Sequence, residues 1–155
     1  YILMKKQKLI LEHVDAKISQ LKKAEELVMP PAGWIYSIRQ ALGMSMRQLG
    51  NKMNITPQSI KEIEEREKNG TVTVKVLRQF GQALNLKLVY GFIPSEGSLE
   101  KIIERRAMEI ALEIINRTSA SMKLEDQANR PDRLQRSVKE KAEEIRLQMP
   151  KYLWD

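Results

Sequence analysis

The sequence predicts a mainly α-helical protein with one short β-strand and a C-terminal helical extension. Apolar residues recur at helical spacing through most of the chain, and the helix-favouring residues Leu, Ile, Lys, Glu and Arg are frequent. Ser or Thr stands at the N-cap position ahead of three of these stretches. A single β-prone run, residues 86–93, interrupts the helical pattern and is ended by Pro94.

Composition excludes several kinds of site. The chain has 155 residues and no cysteine, so disulfides, thiolate zinc sites and thiol nucleophiles are excluded. Its single histidine, His13, lies in a lysine-rich amphipathic stretch, which favours a plain surface role, and one histidine cannot build a multi-histidine metal site. The sequence contains no Gly-rich phosphate loop and no nucleophile–base pair. We therefore expect neither an enzyme, nor a metal site, nor a cofactor.

The hydropathy pattern indicates no membrane segment. No apolar run approaches the roughly 20 residues that a membrane-spanning helix needs. Lys5, Lys6 and Lys8 lead into an amphipathic pattern, unlike the apolar block of a signal peptide. Met4 resembles a translation start, so residues 1–3 are expected to be accidental. The prediction is a cytoplasmic protein without a membrane partner.

The positive charge is concentrated in the middle of the chain. The formal net charge is +7, and residues 31–93 carry nine Lys or Arg against four Glu. Residues 94–155 carry twelve charges of each sign. A basic segment can simply be solvated, but here the excess coincides with a helix-turn-helix pattern, which favours a nucleic-acid partner.

Residues 1–31 are expected to form an N-terminal amphipathic helical arm. Pro30 and Pro31 end the helix, and Gly33 follows as a hinge. The helical stripe within residues 5–28 comprises Ile10, Val14, Ile18, Leu21 and Val28.

Residues 32–94 are expected to form a helical domain with unusually complete helix-start signals. A helix over residues 34–42 ends at Gly43, a typical left-handed C-cap. Ser45 and Gln48 form a capping box at the start of the next helix, which covers residues 45–53.

The third helix of this domain, residues 56–68, opens with Thr56 at the N-cap and Pro57 at the first helical position. Gly70 ends it, and Thr73 caps a further helix. Residues 45–53 and 56–68, joined by a short turn at Asn54, are spaced as a helix-turn-helix, in which Gly50 allows close helix crossing. An ordinary helical hairpin with a solvated polar face is the alternative.

The β-prone run predicts a contact between two copies of the chain. One strand alone exposes unpaired backbone groups, so it must pair with another segment or with its symmetry mate. We expect a homodimer in which the pairing strand comprises Leu86, Leu88, Val89, Tyr90 and Phe92.

Residues 95–155 are expected to form a C-terminal helical region for dimer or partner docking. Residues 95–98 are a linker, and residues 99–117 carry an apolar face too wide to be left in water. A break over residues 119–131 precedes a last helix and an aromatic tail, residues 150–155, which should dock on the protein.

The second helix of a helix-turn-helix lies in the major groove of double-stranded DNA and presents its N-terminal turns to base edges. Gln58 can contact adenine bidentately, whereas Ser59 and Lys61 can reach bases or phosphates. The candidate DNA-binding residues are Ser45, Arg47, Lys52, Thr56, Pro57, Gln58, Ser59, Lys61 and Glu62. A dimer would bind an inverted-repeat operator.

The stretch IRQALGMSMRQLGNKMNITPQSIKEIEE resembles the Cro/CI-type (XRE) helix-turn-helix of phage repressors, over about residues 35–85. The recognition-helix pattern T-x-Q-S-I-x-x-[IL]-E of that family is matched from Thr56 to Glu64. The resemblance implies a Cro/CI-type bundle and a structural ion pair between Arg39 and Glu64. Pro57 and Met46 depart from polar residues that often contact DNA in that family.

Over nearly its full length the chain is similar to the family called mobile mystery protein A. The similarity rests on MKKQKLILE near the start, PPAGWIYSIRQALGMS, SMKLEDQ at residues 121–127 and the ending LWD. Members lie beside a gene for a Fic-domain protein, which implies an antitoxin-like partner of a Fic toxin. Ser121 and Glu125 match the Fic-inhibitory pattern [S/T]-x-x-x-E-[G/N], although Asp126 departs from it.

The sequence thus predicts a dimeric DNA-binding transcriptional regulator that represses its own operon and is paired with a Fic-domain toxin. One alternative is a protein inhibitor that acts mainly by blocking the Fic enzyme. Another is a free-standing phage-type repressor. For Ser121 and Glu125 a helix cap and a solvated carboxylate are the plain alternative.

Overall fold

The computed structural model describes residues 2–118 and 131–155 in full and residues 119–123 by their backbone. The chain forms two compact units. One comprises residues 26–91, and the other combines residues 1–25 with residues 92–155.

The central unit is a bundle of four short helices. They are α2 (Trp34–Ala41), α3 (Met46–Met53), α4 (Pro57–Asn69) and α5 (Val74–Leu84). Helix α3 packs on α4 and α5, and α2 packs on α4. Five buried side chains form the core, namely Ile35, Leu49, Ile60, Ile63 and Phe80.

Side-chain caps set where these helices begin. The Ser45 N–H donates to Gln48 Oε1 (2.8 Å), and the Gln48 N–H donates to Ser45 Oγ (3.1 Å), so the predicted capping box is present. Thr56 Oγ1 accepts the Ser59 N–H, and Thr73 Oγ1 accepts the Val76 N–H. The predicted starts of α3, α4 and α5 are therefore confirmed.

Gly50 allows the close crossing of α3 and the turn that follows it. A Cβ atom built at this position would lie 2.6 Å from the Ile55 carbonyl oxygen, closer than real Cβ contacts allow. The Ile55 N–H donates to the Gly50 carbonyl at 2.9 Å, so the backbone of the turn folds back onto α3. Any side chain at Gly50 would push the turn, and with it the start of α4, away from α3.

The predicted dimerising strand is not formed. Residues 86–94 have no regular secondary structure, and no strand occurs among the described residues. Asn85 ends α5 in the left-handed conformation (φ 57°), and the Leu86 N–H donates back to the Gly81 carbonyl. A strand is defined by ladder hydrogen bonds, and these residues find no ladder partner within the described part of the chain.

The second unit is built on α6 (Leu99–Lys123) and α7 (Pro131–Gln148), with α1 (Ile2–Leu21) against α6. Two short 3₁₀ helices complete it, Lys22–Ala24 and Lys151–Trp154. Its core comprises Ile103, Ala107, Ile110, Ala111, Ala142, Ile145 and Leu153. Helix α1 is shorter than the expected helix over residues 5–28, and α6 extends beyond the expected residue 117.

Polar contacts join the start of α6 to the end of α7. Arg146, near the end of α7, pairs with Glu100 near the start of α6 (3.0 Å), so the two helices run antiparallel. Arg146 also donates to Glu143, and this hydrogen bond lowers the pKa of the Glu143 carboxyl and raises the pKa of Arg146.

The C-terminal tail docks through an aliphatic residue. Leu153 is buried, whereas Tyr152 and Trp154 remain exposed. The Arg106 guanidinium donates to the carbonyl oxygens of Leu153 and Asp155, both at 2.6 Å. Among the described residues, no helix combines the length and apolar character needed to cross a membrane.

Candidate nucleic-acid interface

The turn between α3 and α4 sets the direction in which α4 leaves the bundle. Asn54 adopts the left-handed conformation (φ 58°) at the end of α3, a position that Asn tolerates better than most residues. Thr56 is extended and caps α4. The turn therefore comprises three residues, Asn54, Ile55 and Thr56, and α4 begins immediately after Thr56.

At the N-terminus of α4, one backbone N–H group is capped by a side chain and another is not. Thr56 Oγ1 accepts the Ser59 N–H (3.0 Å) and donates to Ser59 Oγ (2.9 Å). Pro57 has no N–H, and no side chain among the described residues caps the Gln58 N–H. The unpaired N–H and the helix dipole make this end of α4 favourable for an anion such as a phosphate.

The structure places eight of the nine candidate DNA-binding residues on the protein surface. Ser59 is the exception, because it is half-buried and its hydroxyl oxygen accepts the Thr56 hydroxyl. The exposed residues are Ser45, Arg47, Lys52, Thr56, Pro57, Gln58, Lys61 and Glu62.

A buried ion pair joins α2 to α4. Arg39 Nε lies 2.5 Å from Glu64 Oε1, and Arg39 Nη2 lies 3.2 Å from Glu64 Oε2, so the guanidinium and the carboxylate meet side by side. Only 5% of Arg39 and 7% of Glu64 is exposed. Arg39 Nη1 also donates to the Met44 carbonyl oxygen (3.0 Å). The ion pair implied by the family resemblance is therefore present.

Glu67 forms a second contact between α4 and α2, which sequence reasoning missed. Its two carboxylate oxygens accept the N–H groups of Trp34 (2.9 Å) and Ile35 (2.8 Å), and thus cap the start of α2. Gly33 adopts φ 87°, and a Cβ there would lie 2.7 Å from Glu67 Oε1. Glu67 follows the buried Ile60 by seven residues, so the helical period could have placed it on the inner face.

Residues 35–90 match a helix-turn-helix family model, HTH_3. These residues form a helix-turn-helix domain. The match covers little more than a third of the chain. Searches of curated proteins and of solved structures each gave no significant match.

The helix-turn-helix domain contains all nine Lys and Arg residues of the segment 31–93 and every candidate DNA-binding residue. The Fic-inhibitory pattern at Ser121 and Glu125 has no position in the structure, because Glu125 and the side chain of Ser121 lie outside the described residues. Within the described part of the chain, no cluster of three or more His, Asp or Glu side chains could hold a metal ion.

Because of the ion pair, substitution of Glu64 should reduce the stability of the protein much more than substitution of its neighbour Glu65. Glu64→Ala leaves the buried Arg39 without its partner and should lower the free energy of unfolding by about 3–5 kcal/mol. Glu65→Ala, at an exposed position, should change it by less than about 0.5 kcal/mol. Urea denaturation followed by circular dichroism measures both.

The double variant Arg39→Met, Glu64→Leu should be more stable than Glu64→Ala, because it leaves no unpaired buried charge. Equal stability of Glu64→Ala and Glu65→Ala would show that the ion pair contributes nothing to the bundle.

Proposed function

We propose that the protein is a sequence-specific DNA-binding transcriptional regulator that inserts α4 into the major groove. The observation that most supports this proposal is the start of α4. There the Gln58 N–H is not capped by a described side chain, and the outward face of the helix is polar and exposed. The match of residues 35–90 to a helix-turn-helix family supports the proposal. The excess of Lys and Arg in residues 31–93 supplies the attraction for phosphate.

The exposed residues divide into two chemical groups. Gln58 offers an amide that can pair bidentately with adenine, and Glu62 can accept a hydrogen bond from the amino group of cytosine. Arg47, Lys52 and Lys61 carry the positive charge that phosphate contacts require. We assign base reading to the first group and positioning on the backbone to the second.

The two groups should respond differently to mutation. Gln58→Ala should weaken binding to the cognate site by about 1–3 kcal/mol and relax the sequence preference at one base pair. Arg47→Ala should weaken binding to all sequences and reduce the slope of log K against log salt by about 0.9. Both effects can be measured by fluorescence anisotropy, as the affinity for labelled DNA from upstream of the protein's own gene at several salt concentrations.

Lys139→Ala, which removes a positive charge from an exposed position on α7, is the control and should leave affinity unchanged. Footprinting should show protection of an inverted repeat with half-sites about 34 Å apart. Absence of protection at low salt would contradict the proposal.

We also propose that the protein acts as a homodimer through residues 86–92. This segment follows the helix-turn-helix and exposes both backbone groups and apolar side chains, since Val89 is 69% exposed and Phe92 is 86% exposed. Pairing with the same segment of a second copy would satisfy the backbone and cover these side chains.

Val89→Asp should weaken the dimer by about tenfold or more, since it places a charge in the buried face. Val28→Asp, at a still more exposed apolar residue of the same unit, should leave the dimer intact. Sedimentation velocity at micromolar concentration distinguishes the two variants. Wild-type protein that sediments as a monomer at that concentration would rule out this dimer.

We further propose an antitoxin-like role, in which the protein represses its own operon and blocks a Fic-domain partner. The support is the resemblance to mobile mystery protein A, including Ser121 and Glu125. Fic enzymes typically transfer AMP to target proteins. Glu125→Ala should release AMP transfer by the co-purified Fic protein, whereas Asp126→Ala should retain inhibition. Equal inhibition by wild type and Glu125→Ala at matched complex formation would leave Glu125 without an inhibitory role.

A further inference from the structure

A groove of about 660 Å³ opens within the unit formed by α1, α6 and α7. It follows α1 from Met4 and ends at Lys22, the first residue of the next 3₁₀ helix, a length of about 27 Å at the α-helical rise of 1.5 Å per residue. The opposite wall comes from the start of α6 and the end of α7. Its volume lies within the range of sites that bind small molecules.

The lining of the groove is apolar and adaptable. Leu11, Ile103 and Leu147 contribute branched side chains, while Met4 and Met149 contribute thioethers. Methionine is unbranched and polarisable, so it adjusts to ligands of variable shape. The surface therefore suits a flexible alkyl chain better than a rigid polar molecule.

The backbone at Met149 is held in an unusual conformation beside the groove. Met149 has φ 44°, in the left-handed region that non-glycine residues seldom adopt. Glycine is the usual residue at such a position just after a helix, yet here the side chain packs against the core of the unit and lines the groove. A residue in this uncommon backbone conformation thus contributes its side chain to the wall of the groove.

Two of the three carboxylates that line the groove already have partners within the protein. Asp15 accepts the N–H groups of Leu99 (2.8 Å) and Glu100 (3.2 Å), at the start of α6. The Glu100 carboxylate pairs with Arg146. The Arg146 guanidinium offsets the charge of Glu100, and the two N–H groups satisfy the Asp15 carboxylate as a hydrogen-bond acceptor.

The end of the groove at Lys22 favours an anion. Within the described part of the chain, the Lys22 ammonium has no hydrogen-bond or ion-pair partner, and Ser19 lies one turn before it. At the other end, Lys5 and Lys8 share the groove with Glu12, whose carboxylate offsets part of their positive charge and competes with an incoming anion. On the Lys22 side the nearest lining carboxylate of the same helix, Asp15, lies two turns away, so an anionic head group meets less acidic competition at Lys22.

We propose that this groove binds a straight-chain alkyl carboxylate of medium length. The carboxylate pairs with Lys22, and the alkyl chain lies against Leu11, Ile103 and Leu147. The proposal does not depend on DNA binding, because every residue that it uses lies outside the helix-turn-helix domain.

Titration calorimetry with decanoate and dodecanoate below their micelle-forming concentrations tests the proposal. Burial of each added methylene is worth about 0.8 kcal/mol, so the affinity should rise about fourfold per carbon, with one ligand per chain. Dodecyltrimethylammonium, with the same chain and the opposite charge, should bind at least about tenfold more weakly. Equal affinity for the two head groups, or binding without saturation, would overturn the proposal.

Matched variants locate the site. Lys22→Glu should abolish the preference for the carboxylate, Lys22→Arg should keep it, and Lys17→Glu, outside the groove on the same helix, should leave it unchanged. Ala16→Phe should block the alkyl chain, whereas Gln20→Phe, also outside the groove, should not. Circular dichroism checks that each variant is folded.

Methionine methyl resonances give a readout that needs no substitution. In wild-type protein carrying ¹³C-methyl methionine, dodecanoate should shift the signals of Met4 and Met149. The signals of Met44 and Met53, in the central unit, should stay in place. Equal shifts of all four would show non-specific association with the surface and would contradict a defined site.

Discussion

The ion pair between Arg39 and Glu64 is the contact on which the geometry of the helix-turn-helix depends. A single guanidinium binds the carboxylate of α4 and the Met44 carbonyl, which lies one residue before the capping box of α3. It thus links α2 to α4 and to the loop that leads into α3. Both partners are buried, so removal of one of them leaves an unpaired buried charge and lowers the stability strongly. Replacement of both by apolar residues costs much less.

A second carboxylate completes the attachment of α4. Glu67 lies one turn after Glu64 and caps the start of α2, so α4 holds α2 both in its last turn, through Arg39, and at its N-terminus. Hydrogen bonds of defined geometry act here together with the non-directional packing of Ile60 and Ile63. The outer face of α4 is left free for polar residues because the inner face makes both kinds of contact.

The second unit follows a different plan. Apolar packing between α6 and α7 supplies its core, and polar groups set the ends of the helices. Asp15 of α1 caps α6, and Arg106 holds the C-terminal tail by its carbonyl oxygens. Helix α1 itself contains no buried residue, and the groove beside it remains open.

Local sequence signals predicted the helix-turn-helix well. Ser45, Thr56 and Thr73 act within three residues of the N–H groups that they cap, so a short window of sequence contains the whole interaction. The helical period likewise placed Ile60 and Ile63 in the core. The exposed face of α4 follows from the same period, since residues opposite the apolar stripe must meet solvent.

Contacts between distant segments could not be read in this way. Asp15 caps a helix that begins 84 residues later, and Leu153, not its aromatic neighbours, fills the second core. Residues 86–93 form no strand for a related reason, because β-propensity does not by itself provide a pairing partner within the described chain. Periodicity shows which face of a segment is apolar, but only the packed chain shows which segment covers it.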